Sequence, residues 1–239
     1  MARLARLYAP GIPQLVQVGF ARPLARLSDP TPVEALDQVR DWLRNGIAQH
    51  KVAVHAWLIL NDRLVLLATP HDARALSLLI QGLGRRMAAV LGAGPVFAGR
   101  YRSALVQAGQ WVLPAQIWME WLPARLNYVD TPSRWPWSSA ANHVGAPTSY
   151  PSLLTDHPDY WACGNTPFDR EATYKKHLLQ GLTAATSRQI ETALHGQWAL
   201  GDEQFIASLG TRANRRAAPI ARGRPRKTNH ANKPPEQAA

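Results

Sequence analysis

The histidines are the side chains here with the chemistry to bind a metal ion, and their spacing argues against a metal site. A pair two residues apart on a strand would place both imidazoles on one face. The sequence has eight histidines, and no two of them stand two or four residues apart. We expect His55, within an apolar strand, to pack or to make a hydrogen bond in the sheet. The single cysteine, Cys163, excludes a disulfide framework and a multi-cysteine zinc site.

Positive charge is the second chemical feature, and it is concentrated near the end of the sequence. The net charge is +11. From residue 212 onward, eight Lys and Arg residues face one acidic residue, whereas the first 211 residues hold 19 basic and 15 acidic residues. This distribution indicates an anionic polymer as partner, the alternative being a solvated tail with no specific partner. RGRPRK at 222–227 is similar to an AT-hook, which lies in the narrow minor groove of A/T-rich DNA.

A regular alternation of strand and helix patterns must position these residues. An apolar hairpin at 52–69 turns at Asn61 and Asp62, which tolerate tight-turn conformations. The hairpin is preceded by a strand at 14–19 and by a helix that runs to about His50. It is followed by a helix that ends at the Gly- and Pro-containing stretch 92–95, and by a strand within 97–107. The order β-α-β-β-α-β predicts an α+β fold, a ferredoxin-like antiparallel sheet with helices on one face.

A further helical pattern follows this unit. It runs from about Gly109 to Tyr128, despite Pro114 and Pro123. We divide the chain into a ferredoxin-fold domain at 1–130 that includes this additional helix, a helical C-terminal extension at 131–211, and a basic disordered tail at 212–239.

Several phrases of the sequence resemble the REP-associated tyrosine transposases. Their hallmark is His-hydrophobic-His on the second hairpin strand, within a phrase like Met-Pro-Asn-His-Val-His-Leu-Leu. Here that stretch reads LNDRLVLLATP, and the two histidine positions hold Arg63 and Val65, which share one strand face. The family's catalytic helix, Tyr-Ile-Glu-Leu-Asn-Pro-Val-Arg-Ala, is matched by WMEWLPARL, with Trp118 at the tyrosine position and Leu122 at a metal-ligand position.

Other parts of these phrases are retained. Glu120, Pro123 and Arg125 match the family pattern, and SRWPWSS at 133–139 is similar to its Tyr-Pro-Trp-Ser-Ser. GQWALGDEQFIASL at 196–209 is similar to a late Trp-Ala-Leu-Gly helix start, so the resemblance extends from about residue 1 to 227.

The resemblance implies a ferredoxin-like fold and tyrosine transesterification of DNA, assisted by Mg or Mn, on single-stranded hairpins of palindromic repeats. All four substituted positions lack the required chemistry, since valine binds no metal and tryptophan cannot attack phosphorus. We therefore predict no catalytic residue and no metal cofactor. We expect Asp62 to form a salt bridge with Arg63, and Trp118 to fill the core, with stacking on a splayed base as its alternative.

DNA is the predicted partner, because arginine binds phosphate bidentately and also stacks on bases. The candidate binding residues border the family's hairpin groove or lie in the tail; they are Arg85, Arg86, Arg100, Arg102, Arg125, Arg222, Arg224, Arg226 and Lys227. The alternatives are an active transposase or nuclease using displaced residues, and a structural or interaction protein. We expect a cytoplasmic bacterial protein, because no apolar run reaches membrane-spanning length. The oligomeric state stays open.

Overall fold

The fold is built on a four-stranded antiparallel sheet. The computed structural model describes residues 5–92 and 94–219. The strands are β1 (Gln14–Gly19), β2 (Val52–Ile59), β3 (Arg63–Pro70) and β4 (Arg102–Leu105), in the order β2-β3-β1-β4. Every pair of neighbours is antiparallel. This order is that of a ferredoxin-like β-α-β-β-α-β unit and confirms the predicted α+β fold.

The hairpin of β2 and β3 forms the centre of the molecule. The Leu60 N–H donates to the Arg63 carbonyl at 2.8 Å, which closes the turn at Asn61 and Asp62 as the sequence predicts. A register shift between Val54 and Ala56 leaves His55 outside the regular pairing. Both strands are buried along almost their whole length, which indicates that helices cover both faces of the sheet.

Two long helices, α1 (Val33–His50) and α2 (Ala75–Leu91), pack against each other on one face. Gly46 permits their close approach, because a Cβ atom built there would stand 2.6 Å from Cδ1 of Leu79. The predicted helices therefore lie where the ferredoxin-like plan requires them.

The other face of the sheet carries the additional helix, which is interrupted. It consists of α3 (Val112–Glu120) and α4 (Leu122–Arg125). We predicted one helix from 109 to 128, whereas the regular structure breaks at Trp121. Pro123 has no N–H to donate to the carbonyl one turn earlier, which explains a break at this point.

The C-terminal region is helical, as predicted. It contains five helices: α5 (Ala140–His143), α6 (Pro158–Trp161), α7 (Pro167–Gln180), α8 (Ala184–Gly196) and α9 (Glu203–Arg212). α8 packs on α3 and β4. The main core cluster contains side chains from the sheet together with Trp137, Ile190 and Leu200, so the core is continuous across the boundary that we placed at residue 130.

Residues beyond α9 also contact the body. The Asn214 amide donates to the Arg6 carbonyl at 2.8 Å, and Ala217 is buried beside Leu7. The described chain thus packs through the start of the segment that we assigned to the tail at 212. No helix among the described residues combines the length and apolarity needed to cross a membrane.

Candidate nucleic-acid interface

Arg63 begins β3 and is held by its neighbour Asp62. Its Nη2 lies 2.6 Å from Oδ2 of Asp62, and its Nε donates to both carboxylate oxygens at 3.0 and 3.1 Å. Hydrogen bonding to Asp62 raises the pKa of Arg63, so the guanidinium is a fixed cation. The predicted salt bridge is confirmed. A third of the Arg63 side chain remains exposed, which leaves it able to meet a phosphate group.

Val65 occupies the next position on the same strand face and is 0% exposed. It lies between Gln17 on β1 and Leu58 on β2. An isopropyl group buried in this way offers no metal ligand. Among the described residues, no group of three or more His, Cys, Asp or Glu side chains is placed to hold a metal ion. The residues at this position do not fit the Mg or Mn that the resemblance implies.

Trp118 on α3 is 4% exposed and belongs to the same core cluster as Val65. Its Nε1 donates to Oε1 of Glu191 on α8 at 3.2 Å. Leu122 is partly buried against the cluster. α3 packs on β2 and β3, so these apolar groups lie at the helix–sheet contact. The prediction that Trp118 fills the core is confirmed, and the four substituted positions present neither a nucleophile nor a metal ligand.

Tyr128, just beyond α4, is the tyrosine with a specific relation to this region. Its side chain is 42% exposed and stacks on Trp135 with ring centroids 5.3 Å apart. The pKa of Arg63 is raised mainly by the hydrogen bond to Asp62 and, least of the causes, by the charge interaction with Tyr128. An exposed phenol near a fixed guanidinium is an arrangement that a displaced nucleophile would need.

Arg125 on α4 reaches back over Trp118. Its Nη2 donates to the Trp118 carbonyl at 2.6 Å, and its Cζ lies 5.6 Å from the indole centroid. Its Nη1 is 3.9 Å from Glu191, and 37% of its side chain is exposed. Burial lowers the pKa of Arg125, whereas Glu191 opposes the shift. The guanidinium therefore stiffens the α3–α4 corner and still faces solvent.

The other predicted arginines are exposed and lie on two sides of the sheet. Arg85 and Arg86 are on α2, and Arg100 precedes β4. Arg102 on β4 points to the opposite face, where it donates to Nδ1 of His195 on α8. The predicted residues of the tail, which are Arg222, Arg224, Arg226 and Lys227, lie outside the described residues. The predicted arginines of the described residues therefore lie on two sides of the sheet and do not form one compact cluster.

A second basic group near α8 was not predicted from sequence. Two arginines of the segment after α9 lie near the Trp198 ring, with the Cζ atoms of Arg215 and Arg216 at 5.2 and 5.9 Å from its centroid. Arg215 also donates to the Gln197 carbonyl. The excess of positive charge after residue 212 was the available signal in the sequence. It does not indicate which side chain these arginines contact.

A buried polar network centred on Glu120 was also missed. The Glu120 carboxylate is 0% exposed. Its Oε1 accepts from Ser139 Oγ at 2.6 Å and from His143 Nδ1 at 2.7 Å, and its Oε2 accepts from Tyr174 Oη at 2.7 Å. The network joins α3, α5 and α7. The sequence does show a charged residue, Glu120, at the end of a helix whose only other polar residue is Gln116. It does not show the partners of Glu120, because they come from distant parts of the sequence.

His55 makes hydrogen bonds within the structure, as predicted. Its Nδ1–H donates to the Thr155 carbonyl at 2.7 Å, and its Nε2 accepts from the Thr69 hydroxyl at 2.8 Å. Burial lowers the pKa of His55 from 6.5 to about 4, partly offset by the bond to Thr155. The His157 ring lies 4.9 Å away, edge to face. This histidine fastens the 152–157 segment to the sheet as a neutral group.

Comparison with known proteins gives one informative match. No protein-family model and no curated protein matches the chain. Among solved structures, the REP-associated tyrosine transposase bound to a REP hairpin superimposes with a TM-score of 0.53 at 15% identity, over 66% of this chain and 95% of that one. A candidate transposase from Deinococcus radiodurans R1 overlaps with a TM-score of 0.33 at 18% identity, over 45% and 87%, too little to support an argument. The chain therefore has the fold of the REP-associated tyrosine transposase.

Proposed function

We propose that the chain is a REP-associated tyrosine transposase relative that binds DNA hairpins without cleaving them. The fold, and the ordered phrases of the sequence that resemble the family, support the family assignment. The net charge of +11 and the exposed arginines on α2, before β4 and on β4 support an anionic polymer as partner. Single-stranded hairpins of palindromic repeats are the DNA class that the resemblance implies.

One observation carries the proposed loss of cleavage. Val65 and Trp118 are buried in one core cluster, at the strand and helix positions where the family's chemistry needs a histidine and a tyrosine. Neither group can be recruited by a small movement, because one has no ligand atom and the other no nucleophile. Arg63 can hold a phosphate there but cannot attack it.

The experiment is binding and cleavage on a panel of end-labelled hairpins, with magnesium, with manganese and with neither. We expect a retarded complex and an intact DNA strand under all three conditions. A perfectly paired duplex of the same composition is the control, and it should bind more weakly. Metal-dependent cleavage products would overturn the proposal.

A second candidate function is cleavage by a displaced nucleophile, which the exposed Tyr128, stacked on Trp135 just beyond α4, favours. Tyr128→Phe separates the two functions. Under the proposal above, this substitution changes neither the binding of the hairpin nor its integrity. If the unmodified protein cleaves the hairpin and Tyr128→Phe does not, the displaced-nucleophile function is correct.

A further inference from the structure

A pocket opens on the surface at the corner between α3–α4 and the α7–α8 connection. We call it the indole pocket; its principal walls are Trp118, Trp121, Arg125, Leu179, Leu182 and Ser187. Its volume is about 270 Å³. This is just below the roughly 300 Å³ at which sites for drug-sized ligands begin, so it has room for one ring system and not for a base pair.

The walls of the pocket suit a flat aromatic group. The two indole N–H groups are already used: Trp118 donates to Glu191, and Trp121 donates to the Leu178 carbonyl at 2.5 Å. Trp121 is the more exposed of the two rings and offers an apolar edge and π-surface to a ligand, whereas Trp118, which is 4% exposed and lies beneath the Arg125 guanidinium, forms the floor of the pocket. Leu179 completes the rim and is 61% exposed, so it adds apolar surface that a ligand in the pocket could cover.

The charge around the pocket is positive. Arg125 stands at one side with more than a third of its side chain in solvent. Lys175 and Lys176 are exposed on α7 one turn before Leu179, on the same side of the helix. Glu191, the acidic group nearest to Arg125, is 3.9 Å from it and only partly offsets this charge. An apolar slot with cations at its rim complements an aromatic ring that carries a phosphate.

We propose that the indole pocket binds one unpaired nucleobase of a DNA strand, with the adjoining phosphate on Arg125 and the α7 lysines. The inference rests on the proposed function, because it names the part of the DNA that this surface would take. Base–aromatic stacking tolerates any base, so the pocket should favour single-stranded DNA without strong sequence preference. Trp118 would thus act as a wall of a binding site at the position where the family has its tyrosine.

Leu179→Glu tests the pocket, and Phe168→Glu is its matched control. Both residues are exposed apolar side chains of α7, and both changes add one negative charge, but Phe168 is 80% exposed and lies outside the pocket. The probes are a blunt hairpin and the same hairpin with a short single-stranded extension, measured by fluorescence anisotropy. The extension should tighten binding by the unmodified protein roughly tenfold, the lower range of one stacked base.

We expect Phe168→Glu to keep this advantage of the extended hairpin and Leu179→Glu to lose it. Equal ratios of extended to blunt affinity in the two variants would overturn the proposal. Saturation-transfer NMR with dAMP supplies a readout that depends on no hairpin and no variant fold. The adenine protons should receive saturation from the unmodified protein, and their failure to do so would also overturn it.

The same data separate the pocket from the proposed function. If the unmodified protein binds no hairpin but dAMP receives saturation that Leu179→Glu abolishes, the proposed function is wrong and the pocket stands. If hairpins bind and the two variants behave alike, the function stands and the pocket proposal is wrong.

Discussion

Replacing Glu120 with leucine tests whether the buried network holds α3 to the C-terminal helices. The carboxylate is fully buried and accepts three hydrogen bonds, from Ser139, His143 and Tyr174, at 2.6 to 2.7 Å. Leucine has a similar size but accepts none of them. His143 and Tyr174 would then lose this acceptor in a site that water does not reach, whereas the Ser139 hydroxyl keeps the Trp57 carbonyl, 3.2 Å away, as an acceptor.

The magnitude follows from the cost of stranded polar groups. Each buried donor without a partner costs about 1–3 kcal/mol, so the loss of an acceptor for His143 and Tyr174 in Glu120→Leu should lower the free energy of unfolding by about 4 kcal/mol. A domain has about 5–15 kcal/mol in total, which places this variant near the limit of folding. Glu120→Gln keeps one oxygen for Ser139 and His143 and turns an amide towards Tyr174, whose hydroxyl oxygen can accept from it. We expect a loss of about 1–2 kcal/mol for that variant.

The assay is urea unfolding followed by tryptophan fluorescence and circular dichroism at neutral pH. The midpoint should fall slightly for Glu120→Gln and strongly for Glu120→Leu, with the order of stability unmodified, glutamine, leucine. A leucine variant within about 1 kcal/mol of the unmodified protein would refute the reasoning, because it would show that the network is energetically replaceable by an apolar contact.

Three further predictions concern pH, the tail and metal ions. The pKa of His55 is about 4 in the fold and about 6.5 in the unfolded chain. The free energy of unfolding should therefore fall by about 3 kcal/mol as the pH drops from 6.5 to 4. In urea titrations, His55→Gln should remove that part of the fall. Deleting 220–239 should weaken DNA binding and flatten its dependence on salt, because phosphate contacts from the tail are lost. Magnesium and manganese should leave the melting temperature unchanged, since the substituted positions Arg63 and Val65 supply no metal ligand.

Each of these predictions has a contradicting outcome. A His55→Gln variant whose stability falls with pH as steeply as that of the unmodified protein would show that this residue is not the titrating group. If deletion of 220–239 leaves the salt dependence of DNA affinity unchanged, the phosphate contacts lie elsewhere. The deletion begins after Pro219 because the segment before it contacts the body through Asn214 and Ala217. A saturable rise in melting temperature with micromolar manganese would reveal a relocated metal site.

Much of the fold was predictable because it is encoded locally. The nearly continuous apolar runs at 52–59 and 63–70 indicate two buried strands, and Asn61 with Asp62 between them indicates their turn. The period of two of a strand places Arg63 and Val65 on one face. The adjacency of Arg63 to Asp62 made the salt bridge predictable. The break at Trp121 was not predicted, since a proline pattern shows where a helix is strained but not whether it yields.

The rest depends on contacts between distant segments. Glu120 meets Tyr174 across 54 residues of sequence, and no local pattern pairs them. The indole pocket likewise exists only because α7 ends at Gly181, with a φ of 67°, and turns beside Trp121. A glycine is suited to that left-handed backbone region. The sequence shows which residue types are present at these positions. It does not show which distant side chains the fold places next to them.

The most direct test of the central claim, binding without cleavage, is a search for a covalent protein–DNA adduct. The full chain is incubated with manganese and a labelled, cleavable hairpin and analysed on a denaturing gel. The unmodified protein should give no adduct. Neither Arg63→His with Val65→His alone nor Trp118→Tyr with Leu122→Asn alone should give one. The first pair restores the two metal-binding histidines without a nucleophile, and the second restores the nucleophile and one metal ligand without the histidines. An adduct from the unmodified protein, lost when its tyrosines are changed to phenylalanine, would contradict the account.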